Sequence, residues 1–240
     1  MTLPFFYQSQ FNPTDEFIML DEDTSKHVVN VLRMKNGDLL HLTDGKGNLI
    51  TAEITDNHKK KCLVKVMENG FRPRSSRKIT IAISLLKNAY RFEWFLEKAT
   101  EIGISEIIPM LCERTDKQKF RIDRMQQILV SAMLQSQQCW LPTLHEPVPF
   151  QDVIAQSTHQ QKFIAHCIEE EKRNLVDLVN ESLSSQIILI GPAGDFTVAE
   201  VHRAIQHHFD AVSLGNTRLR TETAGVAAAV LLTNPFSHGL

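Results

Sequence analysis

The chain of 240 residues lacks the signals of several protein classes. Its four cysteines are far apart and form no CxxC pair, which favours reduced thiols in a cytoplasmic protein. Its ten histidines form no HExxH motif, and the adjacent His207 and His208 would point about 100° apart on a helix, so no metal site is predicted. No apolar run approaches the roughly 20 residues that span a bilayer, and the first residues lack the pattern of a signal peptide, so no membrane association is predicted.

Motifs of three common enzyme classes are also missing. No G-x-G-x-x-G follows the first strand of a strand–helix unit, and no G-x-x-x-x-G-K-[ST] occurs. Ser136 and Ser213 lack the G-x-S-x-G setting of a hydrolase nucleophile. These absences argue against dehydrogenase, kinase and hydrolase functions.

Charge is nearly balanced, with 28 acidic and 26 basic residues and a formal net charge of -2. No global basic field therefore points to nucleic acid. Basic residues do cluster locally, in residues 59–61 and 72–78. Such clusters can bind phosphates, although solvated surface is the simpler alternative.

The first seventy residues predict a small β-barrel. The turn at residues 45–47 separates two strands and indicates a hairpin. Residues 25–34 predict a helix, with Thr24 or Ser25 as its cap. One helix among five or so strands favours a barrel over residues 1–70, and the Gly, Pro, Ser and charged residues that follow indicate a linker over 71–77.

Strands and helices alternate after residue 77, which predicts an α/β domain over residues 78–240. The apolar run 79–86 is typical of a parallel strand covered on both faces. A helix over 92–102 should end at Gly103, and further helices are predicted near 173–183 and 198–208. The domain should contain six or so strands.

Two glycine-bearing turns stand near the end of the chain. Gly191 follows the apolar strand 187–190, Gly215 follows 211–214, and each turn opens a helix. Ligands of open α/β sheets bind outside the carboxyl ends of strands, where glycine allows the backbone to approach them. The turns therefore predict a cofactor pocket built mainly from main chain; the alternative is a pair of plain strand–helix turns.

Four segments resemble the motifs of one family. Residues 31–38 (VLRMKNGD) resemble its VLR-basic-GD segment, and residues 97–103 (EKATEIG), followed by residues 113–115 (ERT), resemble its KATELG helix and ERS run. Residues 190–196 (IGPAGDF) resemble IGPEGGF, and residues 213–215 with 219–224 resemble SLG…LRTETA. The chain is thereby similar to SPOUT-class methyltransferases, and within them to the ribosomal RNA small subunit methyltransferase E family.

Several positions depart from the motifs of that family. Ala193 stands where the family has Glu, and Asp195 where it has Gly. Residues 216–218 (NTR) replace the usual run before Leu219, and Leu134 and Gln138 replace the Glu and Arg of its EQSxR signature. These departures imply a rewired polar network near the substrate.

The resemblance implies a C-terminal SPOUT α/β domain whose deep trefoil knot binds S-adenosylmethionine, an exception to the rule that chains do not thread. It implies a PUA-like β-barrel before that domain, which helps to hold RNA. It further implies a homodimer in which each pocket is completed near the partner subunit. The implied product is 3-methyluridine in small-subunit (16S) ribosomal RNA, within an assembled or late-assembly subunit in the cytoplasm.

Main-chain groups at glycine turns can hold a neutral adenine and a zwitterionic methionine. The cofactor-binding candidates follow or end the strands near the two turns: Ala165, His166, Ile190, Gly191, Pro192, Ser213, Leu214, Gly215, Asn216 and Leu219.

Methylation of uridine N3 requires removal of an imide proton and stabilisation of negative charge on the flanking carbonyls. Arg220 is the first candidate to stabilise that charge. Glu222 is a candidate to orient Arg220 or accept the proton, or alternatively a carboxylate that favours the helix dipole. Arg114 is a candidate for substrate binding or for a structural ion pair.

The RNA-binding candidates are basic residues of the predicted barrel and linker: Lys26, Arg33, Lys35, Arg72, Arg74 and Arg77. Two other functions remain open at this point. One is a non-catalytic RNA-binding or ribosome-assembly factor that retains the fold, and the other is a SPOUT methyltransferase that acts on another RNA base or a ribose.

Overall fold

The structure is a computed structural model that describes residues 3–12, 14–116, 119–169 and 172–233. Residues 234–240, which the predicted α/β domain includes, and residues 1, 2 and 13 of the predicted barrel lie outside the described residues. The chain divides into two compact units: Met1–Arg74 with Met133–Leu141, and Ser75–Ala132 with Pro142–Leu240.

The first unit is built on a five-stranded sheet in the order β1-β3-β4-β5-β2. Its strands are β1 (Phe5–Tyr7), β2 (Phe17–Met19), β3 (Leu39–Thr43), β4 (Asn48–Asp56) and β5 (Leu63–Phe71). All neighbours pair antiparallel except β1 and β3. The side chain of Gln8 connects the two edges, because it donates to the carbonyl of Met19 at 3.0 Å and accepts from the Asp21 N–H at 3.3 Å.

The predicted hairpin between β3 and β4 is confirmed, with Gly45 and Gly47 at φ of 70° and 98°. Strand β5 runs to Phe71, which is the first residue of the predicted linker. The return of residues 133–141 to the first unit carries no local pattern that could have announced it.

The predicted helix over 25–34 is wrong in both its bounds and its cap. Helix α1 spans Glu22–Lys26 and continues as a π-helical turn over His27–Val31. Asp21 caps it, accepting from the Thr24 N–H at 2.8 Å. Ser25 is buried and its hydroxyl is used elsewhere, donating to the Leu20 carbonyl and accepting from the Cys62 N–H. An exposed carboxylate thus caps the helix in place of the candidate hydroxyls.

The second unit contains an eight-stranded, all-parallel sheet. The order is β11-β13-β10-β12-β6-β7-β8, with β9 also paired to β7. The strands are β6 (Lys78–Ser84), β7 (Glu106–Leu111), β8 (Thr143–Leu144), β9 (Val148–Pro149), β10 (Gln161–Ala165), β11 (Arg173–Asn174), β12 (Ser185–Ile190) and β13 (Asp210–Ser213).

Helices cover both faces of this sheet, as the buried strand β6 predicts. They are α2 (Ala89–Ile102), α3 (Ile122–Gln135), α4 (Phe150–Gln156), α5 (Leu175–Leu178), α6 (Val198–Gln206) and α7 (Thr221–Thr233), of which α3 runs from the second unit into the first. Helices α2 and α7 pack on each other, and Gly225 lets α7 approach Phe95 and Ile83 closely. Side chains of α4 and α6 share a buried cluster with Ala82, Ile187 and Leu189 on the other face.

The helix predicted near 173–183 is much shorter in the structure. Residues 173–174 form strand β11, and α5 spans only Leu175–Leu178. The amide of Gln161 ends the helix, because it donates to the Leu178 carbonyl at 2.8 Å and accepts from the Asn180 N–H at 2.9 Å. A side chain from a neighbouring strand therefore overrides the local helical pattern. Gly103 does end α2 with φ of 90°, as predicted.

A polar network surrounds Glu106 at the amino end of the sheet. The carboxylate lies 2.7 Å from Lys78 Nζ, 2.7 Å from His145 Nε2 and 2.8 Å from the Thr80 hydroxyl. Burial by itself raises the pKa of Glu106, but these hydrogen bonds outweigh burial and lower the pKa to about 2. The neighbouring His159 has its pKa lowered, chiefly by burial. This network holds β6, β7 and the segment after β8 together at the end of the sheet remote from the glycine turns.

Candidate cofactor and substrate site

Two adjoining cavities lie where β10, β12 and β13 end and α7 begins. The glycine-loop cavity has a volume of 370 Å³ and is lined by Ala165, His166, Cys167, Lys172, residues 212–219 and Ala224. The arginine cavity has a volume of 310 Å³ and is lined by Leu86, Arg91, Ala165, Cys167, residues 190–193, Asp195, residues 218–222 and Ala224. Ala165, Cys167, Arg218, Leu219 and Ala224 border both.

The loop after β13 is shaped by Gly215 and Ser213. Gly215 has φ of 136°, a conformation that L side chains rarely adopt, and a Cβ there would meet nothing within 4 Å. The Ser213 hydroxyl donates to the Gly215 carbonyl at 2.9 Å and accepts from the Gly215 N–H at 3.2 Å. The loop is therefore held by its own hydrogen bonds while open space remains at its glycine.

Gly191 has a different role, which is close packing. A Cβ on Gly191 would lie 3.0–3.2 Å from Phe196, and Phe196 is buried. The aromatic ring thus fills the space beneath the turn after β12. Gly191 permits the contact that shapes this wall of the arginine cavity.

Asp195 connects the loop after β12 to the loop after β10. Its carboxylate accepts from the Cys167 N–H at 2.7 Å and from the Phe196 N–H at 2.8 Å. Its backbone has φ of 63°, in the left-handed region that aspartate tolerates better than most residues. Asp195, at the position of the family's glycine, therefore has a backbone conformation that glycine adopts readily, and its side chain adds two hydrogen bonds.

The loop after β7 is fastened to the start of α6. The buried carboxylate of Glu200 accepts from the Glu113 N–H at 2.9 Å and from the Thr197 N–H at 2.8 Å, within a capping box. Arg114 donates to the Gly194 carbonyl at 2.6 Å and lines neither cavity. This contact of Arg114 supports a neighbouring loop, a role that neither of its two sequence interpretations predicted.

Three arginines and two carboxylates border the arginine cavity. Glu222 is 7% exposed, and its Oε1 lies 3.6 Å from Nε of Arg91. Arg220 is exposed, so solvent partly screens the charge of its guanidinium. Arg91 was not predicted as a site residue, because it lies on α2, far along the chain from the glycine turns.

All ten predicted cofactor residues line one of the two cavities. Ala165, His166, Leu219 and the residues of the β13 loop line the glycine-loop cavity, and Ile190, Gly191 and Pro192 line the arginine cavity. Arg220 and Glu222 line the arginine cavity as well. Sequence reasoning missed Arg91, Cys167, Lys172 and Arg218, of which only Arg218 lay within a recognised motif segment.

The predicted RNA-binding residues occupy different settings. Arg77 donates to Gln186 Oε1 at 2.6 Å and to the Leu232 carbonyl at 2.7 Å, so it supports the second unit from within. Lys26 pairs with Glu22 at 2.9 Å on the exposed face of α1. Arg33 and Lys35 are exposed, with Arg33 at φ of 56°. Arg72 and Arg74 are exposed at the end of the first unit's chain segment.

Within the described ranges, no helix is long and apolar enough to cross a bilayer. The same residues contain no group of three or more His, Cys, Asp or Glu side chains arranged to hold a metal ion.

Residues 73–233 match the family model described as an RNA methyltransferase domain, and residues 20–67 match an RNA methyltransferase PUA domain. Ribosomal RNA small subunit methyltransferase E of Bacillus subtilis is 30% identical over 216 residues, covering 84% of each chain. A probable rRNA-methyltransferase from Porphyromonas gingivalis has a similar structure, with a TM-score of 0.86, 36% identity and 95% of each chain covered. The Neisseria gonorrhoeae ribosomal RNA small subunit methyltransferase E, bound to S-adenosyl methionine, gives a TM-score of 0.86 at 27% identity, covering 95% of this chain and 96% of that one.

Proposed function

Because the chain belongs to the RNA methyltransferase family that includes ribosomal RNA small subunit methyltransferase E, we propose that it methylates N3 of a uridine in small-subunit ribosomal RNA, with S-adenosylmethionine as methyl donor. One observation carries the proposal: a glycine-lined cavity adjoins a cavity bordered by arginines and a buried carboxylate. The first arrangement suits the donor, and the second suits a base that becomes anionic.

The glycine-loop cavity fits S-adenosylmethionine in size and lining. Its 370 Å³ lies within the range of about 300–1,000 Å³ that is usual for small-molecule sites. Main-chain groups at Leu214–Asn216 can pair with the adenine edge, and Leu219 supplies apolar surface. When bound, the cofactor supplies an electrophilic methyl group. Ala165, Arg218 and Leu219 border both cavities, so the donor's methyl group would meet the acceptor base beside them.

The arginine cavity fits the acceptor base. Uridine N3 must lose its proton before or as it attacks the methyl carbon. The negative charge left by the proton spreads onto the O2 and O4 carbonyls, and it would disappear as the bond from N3 to the methyl carbon forms and the bond from that carbon to the donor's sulfur breaks. Arg220 stabilises this charge by hydrogen bonding to a carbonyl oxygen. Glu222 accepts the proton, with Arg91 at 3.6 Å holding its carboxylate in position.

We further propose a cytoplasmic homodimer and a trefoil knot. Tyr90 and Trp94 lie one turn apart on α2 beside Arg91 and are 75% and 43% exposed, so a second subunit seated there would cover two large rings. The knot is supported by β10 lying between β12 and β13, with the loops after all three strands bordering the same cavities. Light scattering that gives the mass of one chain would refute the dimer, and an experimental chain trace without a trefoil would refute the knot.

The testing experiment is transfer of a labelled methyl group to small ribosomal subunits that lack the modification, followed by nucleoside mass spectrometry. We expect label in 3-methyluridine. Arg220→Ala should lower kcat by about 100-fold or more while cofactor affinity changes little. Arg203→Ala is the matched control, because Arg203 is exposed on α6 and lines neither cavity.

Other outcomes would replace the proposal. Label in another base or on a ribose 2′-oxygen would indicate a SPOUT methyltransferase with a different target. Absence of both methyl transfer and cofactor binding would indicate a non-catalytic RNA-binding or ribosome-assembly factor.

A further inference from the structure

Two aromatic rings and a guanidinium are grouped on the surface of the first unit. Phe71 ends β5 and is 61% exposed, and its ring meets that of Trp140 edge-on, with centroids 5.9 Å apart and planes at 84°. The Arg74 guanidinium lies over the Trp140 ring, 5.2 Å from its centroid. We call Phe71, Arg72, Arg74 and Trp140 the aromatic platform.

The hairpin turn between β3 and β4 holds the platform in place. The Trp140 indole N–H donates to the Arg72 carbonyl at 2.7 Å, and the Arg72 N–H donates to the Gly47 carbonyl at 2.8 Å. A Cβ on Gly47 would lie 2.6 Å from the Trp140 ring and 2.7 Å from the Phe71 ring. The glycine thus lets both rings close over the turn. The rings are fixed before any ligand arrives, which reduces the entropic cost of binding.

The surroundings of the platform are basic. Lys46, Arg72 and Arg74 are all exposed, and Lys46 pairs with Trp140 through a backbone bridge. The nearby carboxylate of Asp44 is buried and accepts from the backbone N–H groups of Lys46 and Asn48. The exposed charges that the platform and the turn carry, at Lys46, Arg72 and Arg74, are therefore positive.

Exposed aromatic surface beside several cations fits one ligand chemistry better than others. Single-stranded nucleic acid has bases that stack on aromatic rings and phosphates that pair with cations. An apolar protein surface carries no negative charge to pair with the three cations. We propose that the aromatic platform binds single-stranded RNA, with a base stacked on Phe71 and the adjoining phosphates held by Arg72, Arg74 and Lys46. The proposal rests on the proposed function in that the RNA is the substrate, and it assigns a binding role to Phe71 and Trp140.

The test is fluorescence anisotropy of the full chain with a labelled single-stranded RNA of about 12 nucleotides, without cofactor. Phe71→Ala should weaken binding about tenfold, because stacking is lost, and Phe71→Tyr should restore it. Phe17→Ala is the matched control: Phe17 is 45% exposed in the same unit, with Lys65 6.0 Å from its ring, and its loss should not change affinity. Arg74→Ala should lower the salt slope of log K by about 0.7.

Unchanged RNA affinity in a folded Phe71→Ala variant, checked by circular dichroism and Tm, would overturn the proposal. So would a change of the oligomer mass with no change in RNA affinity, since the platform would then be a protein contact. The proposed function fails separately: a wild-type chain that transfers no methyl group can still lose RNA binding with Phe71→Ala. Conversely, normal methyl transfer with an unaffected Phe71→Ala variant refutes the platform alone.

Discussion

Substitution of Asp195 should show how much its carboxylate contributes to the stability of the chain and to the binding of the cofactor. Asp195 accepts two backbone hydrogen bonds, one of which anchors the Cys167 N–H, and it does so at φ of 63°. Three replacements separate these features. Asn keeps one acceptor oxygen, Gly keeps the backbone freedom without a side chain, and Ala keeps neither advantage.

The magnitudes follow from the contacts. A hydrogen bond to a charged group contributes about 1.5–3 kcal/mol, and the low end applies here because Asp195 is half-exposed. Asp195→Gly loses both hydrogen bonds but relieves left-handed strain of about 1 kcal/mol, so we expect the free energy of unfolding to fall by about 2 kcal/mol. Asp195→Ala loses both hydrogen bonds and retains the strain, so the free energy of unfolding should fall by about 3 kcal/mol. Asp195→Asn should lower it by about 1.5 kcal/mol.

The assay has two readouts: urea unfolding for stability, and calorimetry for S-adenosylmethionine affinity. Stability should fall in the order Asn, Gly, Ala, and affinity should fall in the same order, because Cys167 borders both cavities. Asp152→Asn, at an exposed position on α4, is the control and should change neither. An Ala variant as stable as the Gly variant would refute the backbone argument. Wild-type affinity in all three variants would refute the anchoring role.

Three further predictions concern other positions. Glu106→Gln should lower the free energy of unfolding by roughly 3 kcal/mol near pH 7, because the folded-state pKa of Glu106, about 2, lies below its ordinary value of 4.5. This stabilisation is present above pH 4.5 and is lost as the pH falls towards 2. Acid unfolding at the same pH in both proteins would contradict the prediction. Gly225→Ala places a Cβ 2.7 Å from the Phe95 ring and should lower Tm by several degrees, and an increase in Tm would show loose α2–α7 packing. Gly215→Ala should weaken cofactor binding, because alanine is strained at φ of 136°. Gly37→Ala is the control: a Cβ at Gly37 also meets nothing within 4 Å, its φ is 92°, and its substitution should leave cofactor affinity unchanged. Equal effects of the two substitutions on cofactor affinity would show that Gly215 has no specific role in cofactor binding.

Local patterns in the sequence were sufficient for much of the second unit. The end of α2 at Gly103 agrees with the structure because hydrophobic periodicity and a left-handed glycine act between close neighbours in the chain. The two glycine turns were recognisable for the same reason, since each follows its own strand directly. The sequence by itself thus determined which loops border the two cavities.

Tertiary structure decided which residues meet. The sheet order places β10 between β12 and β13, and only this order brings Cys167 to Asp195. The pairing of Arg91 with Glu222 depends on how α2 and α7 pack, and the contact of Trp140 with Phe71 depends on the return of residues 133–141 to the first unit. Periodicity and capping report on covalent neighbours, whereas contacts between distant segments depend on strand order and helix packing, for which a single sequence carries no local signal.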